Sequence, residues 1–143
     1  MIEKARPIAL LLARVAVGVI FIAHGWQKFA TMGIGGTTKF FESIGAPLPG
    51  ITAPLVAALE LAGGVALVLG LLLPVFGTLL ALDMIGAIAL VHGANGLFAD
   101  KGGFELVLAL AALALAVGFS GGGLLAADAL WRRRSPESLA EAR

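Results

Sequence analysis

The chain contains no cysteine and no tyrosine among its 143 residues. Without cysteine, it has no disulfide, no thiol redox centre and no Cys-ligated zinc or iron–sulfur site of its own. Without tyrosine, any role in proton transfer or radical chemistry falls to histidine and to carboxylates. The chain has two histidines and nine acidic residues.

Charged residues are also scarce, at 13% of the chain, whereas a soluble domain has about 25%. Hydrophobic residues make up 59%, and the mean hydropathy is +1.01. Most of the chain consists of four apolar runs of about twenty residues, the length that crosses a bilayer. These features predict an all-α integral membrane protein, a four-helix bundle surrounded by lipid. The net charge of +1 gives no indication of a nucleic-acid partner.

The apolar runs divide the chain into predicted spans. In order, these are 7–30, 52–72, 75–91 and 104–119, followed by a last helical piece at 124–131. Residues 1–131 are expected to form one domain, and residues 132–143 a basic junction with a solvated tail. The 31–51 loop carries Phe40 and Phe41 in an amphipathic stretch, which predicts a short helical turn in the headgroup region. The alternative for this loop is a solvated linker.

Basic residues gather at the two ends, with Lys4 and Arg6 before the first span and three arginines at 132–134 after the last. The positive-inside rule therefore predicts that both termini are cytoplasmic, which an even number of spans allows. The loops 31–51 and 94–103 would then face outward.

The first span carries ionisable residues, which are costly inside a bilayer and are usually retained because they pair or do chemistry. Two of them, two glycines and one aromatic residue are spaced four, three, four and three residues apart, which places them on one helix face. The members of this face are Arg14, Gly18, Phe21, Gly25 and Lys28. The glycines on it allow another helix to approach closely.

The ionisable residues fall at two depths. Arg14 and Asp83 each lie roughly 10 Å from the cytoplasmic end, at about 1.5 Å per residue, which predicts a buried ion pair between them. A second group is expected to converge in the outer half of the bundle: His24, Lys28, Glu60, His92 and Glu105. Glu60 is the deepest carboxylate of this group, and His24 and Lys28 are its expected partners.

Two interpretations of the outer group stay open. Paired charges can simply fix the register of packed helices. Alternatively, the group forms a polar site open to the outer leaflet, in which a carboxylate and two histidines relay protons or hydrogen-bond a quinone-like head group. Two histidines and two glutamates can also bind a divalent metal, but the Glu-x-x-His spacing of di-metal bundles is absent, so no metal site is predicted.

Several sequence pieces, taken together and in this order, resemble the DoxX family of small four-helix membrane proteins. They are Arg14 with Gly18, HGWQK at 24–28, APLPG at 46–50, ELAGG at 60–64, GLLLP at 70–74, GGFE at 102–105, and Asp128 after the glycine run. The resemblance covers residues 8–131. It departs from the family pattern near the end, where similar proteins often have a serine before the aspartate and this chain reads GGGLLAADAL.

The resemblance implies a multi-pass protein of the bacterial cytoplasmic membrane. DoxX-type proteins are linked to membrane oxidoreductase complexes with superoxide dismutase and a sulfurtransferase, and DoxD-type proteins to thiosulfate:quinone oxidoreductase. It thus implies a subunit of a quinone- or redox-linked complex, with protein partners, room for homo-oligomers, and quinone as the one suggested cofactor, not covalently bound. The alternative is a non-catalytic scaffold that assembles oxidoreductase or detoxification partners. Because the sequence holds no ligand set for a redox cofactor, the chain is not expected to be an oxidoreductase alone, and no catalytic residue is assigned.

Overall fold

The structure is a computed structural model that describes residues 2–121 and 126–128. Every regular element in this part is helical, which confirms the all-α prediction. The long helices are α1 Ile2–Trp26, α2 Gly33–Ser43, α3 Pro49–Leu69, α4 Leu73–Ala87 and α5 Glu105–Phe119. Shorter turns are π-helical at Gln27–Thr31 and Ile88–His92 and 3-10 helical at Gly93–Asn95 and Ala99–Lys101. The predicted tail at 132–143 lies outside the described residues.

Three helical stretches are long and apolar enough to cross a membrane: Ala5–Thr31, Pro49–Leu69 and Leu73–Asn95. They confirm that the chain is a membrane protein. Helix α5 is equally apolar but has 15 residues, so it rises only about 22 Å, against about 30 Å for the hydrocarbon core. A fourth crossing therefore stays a prediction.

Helix α3 begins earlier than the sequence predicts because Leu48 adopts the left-handed conformation, at φ 46°. The chain reverses there, and Pro49 occupies the first turn of α3, where its missing N–H costs nothing. Thr52 lies within the first turns of α3 and donates its hydroxyl to the carbonyl oxygens of Pro47 and Leu48, at 3.0 and 3.2 Å. The local backbone conformation, rather than a side-chain cap, thus decides where α3 starts.

Helices α1 and α3 cross at a contact between glycines. A Cβ on Gly18 would lie 2.6 Å from the carbonyl oxygen of Gly64, and a Cβ on Gly64 would lie 2.6 Å from that of Gly18. Further out, a Cβ on Gly25 would lie 2.6 Å from the backbone nitrogen of Leu61. The glycine face predicted on the first span therefore packs backbone to backbone against α3, as small residues allow in membrane helices.

Helices α4 and α5 form a second close pair, in which a Cβ on Gly77 would lie 2.6 Å from the carbonyl oxygen of Ala114. At the same end of the molecule, Asp128 accepts hydrogen bonds from the N–H groups of Leu72 and Leu73, at 3.1 and 3.3 Å. This carboxylate satisfies backbone donors at the start of α4 and suits the positive end of the helix dipole. The stretch after the glycine run thus returns to the α3–α4 turn.

The long loop after the first span is ordered, and its amphipathic stretch forms helix α2. Thr37 anchors this helix: its side chain is fully buried and its hydroxyl donates to the carbonyl oxygens of Lys28 and Gly33, both at 3.0 Å. Phe40 and Phe41 contact each other edge to face, with ring centroids 6.1 Å apart. The stretch is thus helical, as predicted, and helix α2 lies against the end of the first span. Its place in the headgroup region stays a prediction.

Candidate functional site

A cavity of about 360 Å³ lies at the α2 end of the molecule, opposite Asp128. Every long helix contributes to its wall, and most of the lining is apolar. The apolar wall includes Phe21, Phe40, Phe41, Ile44, Val56, Met84, Leu90, Leu106, Val107 and Leu110. Five ionisable side chains also line it: His24, Lys28, Glu60, Asp83 and His92. We call this space the outer cavity.

Lys28 and Glu60 form a salt bridge at the outer cavity, with Nζ and Oε2 2.5 Å apart. Both side chains are largely removed from solvent, at 16% and 5% exposure. The close packing of Gly25 against α3 brings the end of the first span down onto the helix that carries Glu60. The structure thus pairs Glu60 with Lys28, one of the two partners expected from the sequence. Charge-assisted hydrogen bonds of this kind are among the stronger ones in proteins.

Asp83 faces the same pair from α4. It interacts electrostatically with Glu60 and Lys28, and its buried Oδ2 atom has no hydrogen-bond partner in the part of the chain that the structure describes. Two carboxylates and one lysine therefore line the same cavity. We call Lys28, Glu60 and Asp83 the charged triad.

The structure does not bring Arg14 and Asp83 together, contrary to the predicted ion pair. Arg14 is buried beside Gly70, whose Cβ position would collide with Nη1 of the guanidinium. Gly70 lies ten residues beyond Glu60 on the same chain segment, which corresponds to about 15 Å along a helix. The depth estimate was wrong because it assumed that the spans start at one level, whereas Arg14, twelve residues into α1, packs beside Gly70 at the α3–α4 turn.

The position of Asp83 could have been found from a symmetry of the sequence. Glu60 is eleven residues before Leu71, and Asp83 is eleven residues after Leu72. In two antiparallel helices joined by a tight turn, residues equally far from the turn lie at the same level. The Leu71–Leu72 turn thus predicts that these two carboxylates lie at the same level. Counting the depth of each residue from the end of its own span did not reveal this.

The two histidines reach the outer cavity in different ways. His24 lines it from α1 but is otherwise exposed. His92 lines it from the π-helical turn after α4, and its Nδ1 lies 2.7 Å from the carbonyl oxygen of Gly102. A carbonyl only accepts, so Nδ1 carries the proton and, in the neutral ring, Nε2 is an acceptor. The loop before α5 therefore holds the His92 ring in place.

Glu105 does not line the outer cavity, so its expected membership of the polar group was wrong. It is exposed, and its Oε1 accepts a hydrogen bond from the backbone N–H of Ala99, at 2.7 Å. The carboxylate turns back onto the loop that precedes α5 because the orphan N–H donors of that loop are close to it. Glu105 therefore stabilises the loop and is absent from the cavity wall.

Both π-helical turns carry an ionisable residue of the outer cavity, Lys28 in Gln27–Thr31 and His92 in Ile88–His92. In a π-helical turn each hydrogen bond joins residues five apart rather than four. An example is the bond from the N–H of Met32 to the carbonyl oxygen of Gln27, at 2.9 Å. Such turns are frequent at functional sites because they redirect side chains. Periodicity in the sequence gave no sign of either turn.

The donor set of the cavity does not suggest a metal ion. Within residues 2–121 and 126–128, no group of three or more His, Asp or Glu side chains is placed to hold one. The chemistry that the cavity offers is instead hydrogen bonding and proton exchange, by the charged triad and two imidazoles, beneath an apolar wall.

Comparisons with known proteins point to one family. The family model for DoxX matches residues 9–93, which include the charged triad and both histidines. The chain is 41% identical over 126 residues to the Bacillus subtilis (strain 168) protein named "Putative oxidoreductase CatD", covering 88% of this chain and 89% of that one. No solved structure matches the chain.

Two relatives come from Escherichia coli (strain K12). Inner membrane protein YphA is 30% identical over 129 residues, covering 87% of this chain and 91% of the relative. Inner membrane protein YqjF is 37% identical over 70 residues, covering 49% of this chain and 51% of the relative.

Proposed function

Because this chain belongs to the DoxX family of membrane proteins, we propose that it is the quinone-binding subunit of a redox complex in a bacterial inner membrane. The observation that carries the proposal is the outer cavity, an apolar space of about 360 Å³ with a buried salt bridge in its wall. The names of the relatives, one a "putative oxidoreductase" and two inner membrane proteins, support the redox role and the location.

The outer cavity offers what a quinone head group needs. Small-molecule sites are mostly apolar, with a few polar groups that fix the orientation of the ligand. Quinone carbonyls only accept hydrogen bonds, and the cavity holds donors of the right kind in the Lys28 ammonium and in the imidazole N–H of His24. Phe40 and Phe41 supply aromatic faces from α2, against which a flat ring packs well.

Reduction of a quinone to a quinol consumes two electrons and two protons. The chain has no cysteine, and the residues that the structure describes form no metal-ligand cluster. We therefore assign the electrons to a partner protein of the complex and the binding of the quinone to this chain. The ionisable side chains of the cavity place proton carriers beside the proposed head group.

The proposal is tested by purifying the protein in a mild detergent from a quinone-containing bacterial membrane, extracting it with solvent and measuring quinone by mass spectrometry. We expect retained quinone close to one molecule per chain. Lys28→Met removes the donor and should lower retention at least tenfold. Lys39→Met is the matched control, because Lys39 is exposed on α2 and does not line the cavity.

Retention that is absent from the wild-type protein, or equal in the Lys28→Met and Lys39→Met proteins, would contradict the proposal. In that case the non-catalytic scaffold becomes the better account, and the charged triad serves only to hold α1, α3 and α4 in register.

A further inference from the structure

The charged triad presents a charge imbalance inside the membrane. Lys28 contributes one positive charge, while Glu60 and Asp83 contribute two negative charges when both are ionised. The salt bridge neutralises Glu60, which is buried. An additional uncompensated charge on Asp83 would be costly at this position, because buried charges require a partner.

The other groups that line the outer cavity form no salt bridge with Asp83 in the part of the chain that the structure describes. From α1 the cavity receives His24, which is exposed to solvent, and from the end of α4 it receives His92. His92 donates from Nδ1 to the carbonyl oxygen of Gly102 rather than to Asp83. Helices α2 and α5 line the cavity with apolar side chains, and Glu105, the acidic residue at the start of α5, points away to Ala99.

A metal cation would balance the charge but lacks ligands. Within the described part of the chain, no group of three or more acidic or imidazole side chains is placed to bind one. A proton needs only two oxygen atoms. Glu60 and Asp83 both line the outer cavity, and Oδ2 of Asp83 is buried without a hydrogen-bond partner among the described residues.

We propose that Glu60 and Asp83 share one proton, so that the charged triad is electrically neutral and the outer cavity accepts uncharged ligands with acceptor oxygens. This inference rests on the proposed function only for the identity of the ligand. An anionic head group would meet two carboxylates, and a cationic head group would compete with Lys28 for them. A neutral carbonyl compound such as a quinone is neither repelled by the carboxylates nor in competition with Lys28.

The test counts protons on carboxyl groups by infrared spectroscopy of the ligand-free protein at pH 7, in a detergent without ester groups. A protonated carboxyl has a C=O band that is distinct from that of a carboxylate and that shifts in D₂O. We expect one such band in the wild-type protein. Asp83→Asn should abolish it, because Glu60 then remains ionised against Lys28.

The charge count predicts two further results. Glu60→Gln should also abolish the band, because Asp83 then becomes the counter-ion of Lys28. Lys28→Met should increase the band to about two protonated groups, because both carboxyls lose their cation. The matched controls are Glu42→Gln and Asp100→Asn, which remove exposed carboxylates outside the cavity and should leave the band unchanged.

A wild-type protein without the band, or a band that survives both Asp83→Asn and Glu60→Gln, would overturn the shared proton. Asp83→Asn preserves shape and neutrality, so it remains informative even if Lys28→Met fails to fold. The spectra need no ligand, so they succeed or fail independently of quinone retention. Retention with no band would defeat the shared proton alone, whereas a band without retention would defeat the quinone assignment.

Discussion

At the scale of single residues, Lys28 is the side chain on which the outer cavity depends most. Among the described residues it is the one lysine or arginine that lines the cavity, where it pairs with Glu60 and where Asp83 also lies. Removing one partner of a buried ion pair typically costs about 3–5 kcal/mol, because the other charge is left uncompensated. We expect Lys28→Met to lower the free energy of unfolding by about 3 kcal/mol, measured by reversible denaturation in mixed micelles.

Glu60→Gln should cost less than Lys28→Met, since Asp83 remains as a counter-ion for the lysine. Lys39→Met, on the exposed face of α2, is the control and should change the unfolding free energy by no more than about 0.5 kcal/mol. Equal effects of Lys28→Met and Lys39→Met would show that the salt bridge contributes nothing measurable.

A double-mutant cycle tests the separation of Arg14 from Asp83. Because Arg14 lies beside Gly70 and Asp83 faces Glu60, their substitutions should act independently. We expect the effects of Arg14→Gln and Asp83→Asn on the unfolding free energy to add to within about 0.5 kcal/mol, as distant sites do. A coupling well above that value would restore the ion pair that the sequence predicts.

These residues mark the limit of what the sequence could predict about the site. The pairing of Glu60 with Lys28 follows from helical spacing and depth alone. The level of Asp83 relative to Arg14 does not follow from depth counted from each helix start, because α1 extends beyond the start of α4 and the two starts are not level. Glu105 was misplaced because the sequence cannot show that the loop before α5 folds back onto its carboxylate.

At the scale of helices, the glycines of α1 and α3 are the strongest determinant of packing. A Cβ on Gly64 would lie 2.6 Å from the carbonyl oxygen of Gly18 and 2.8 Å from the backbone nitrogen of Ile22. Neither neighbour is a flexible side chain, so the helices must separate. We expect Gly64→Ala to lower the unfolding free energy by about 1–3 kcal/mol, as overpacking does.

Gly50→Ala provides the control on the same helix, because a Cβ there meets nothing within 4 Å. It should be neutral or slightly stabilising, because alanine has the higher helix propensity. If both substitutions had the same effect, close contact between α1 and α3 would not contribute to stability.

The helices themselves were largely predictable, and their ends were not. Apolar length identifies the membrane-crossing stretches, and amphipathic patterning identifies α2. The start of α3 depends on the left-handed conformation of Leu48, which a bulky side chain rarely adopts and which no local pattern announces. The π-helical turns at Lys28 and His92 likewise depend on tertiary packing.

At the scale of the whole molecule, the two ends have different characters. One end holds Arg14, the α3–α4 turn and Asp128. The other holds α2, the outer cavity and the loop before α5. The basic residues at both chain termini predict that the first end is cytoplasmic.

Cysteine labelling tests this orientation without background, because the chain has no cysteine. In intact cells, an impermeant thiol reagent should label Ser43→Cys and Lys101→Cys, which lie at the cavity end. It should label Ser135→Cys, a position outside the described residues, only after the membrane is opened. Labelling of Ser135→Cys in intact cells would reverse or break the predicted topology.

The most direct test of the central claim is where a quinone binds. A photoreactive quinone would be crosslinked to the protein in liposomes, with and without excess unmodified quinone, and the labelled peptides would be mapped by mass spectrometry. We predict competable labelling of residues that line the outer cavity, such as Phe40, Phe41, Ile44, Met84, Leu90 and Val91. Labelling confined to exposed apolar positions such as Leu12, Leu82 and Leu113, and not reduced by the competitor, would contradict the account.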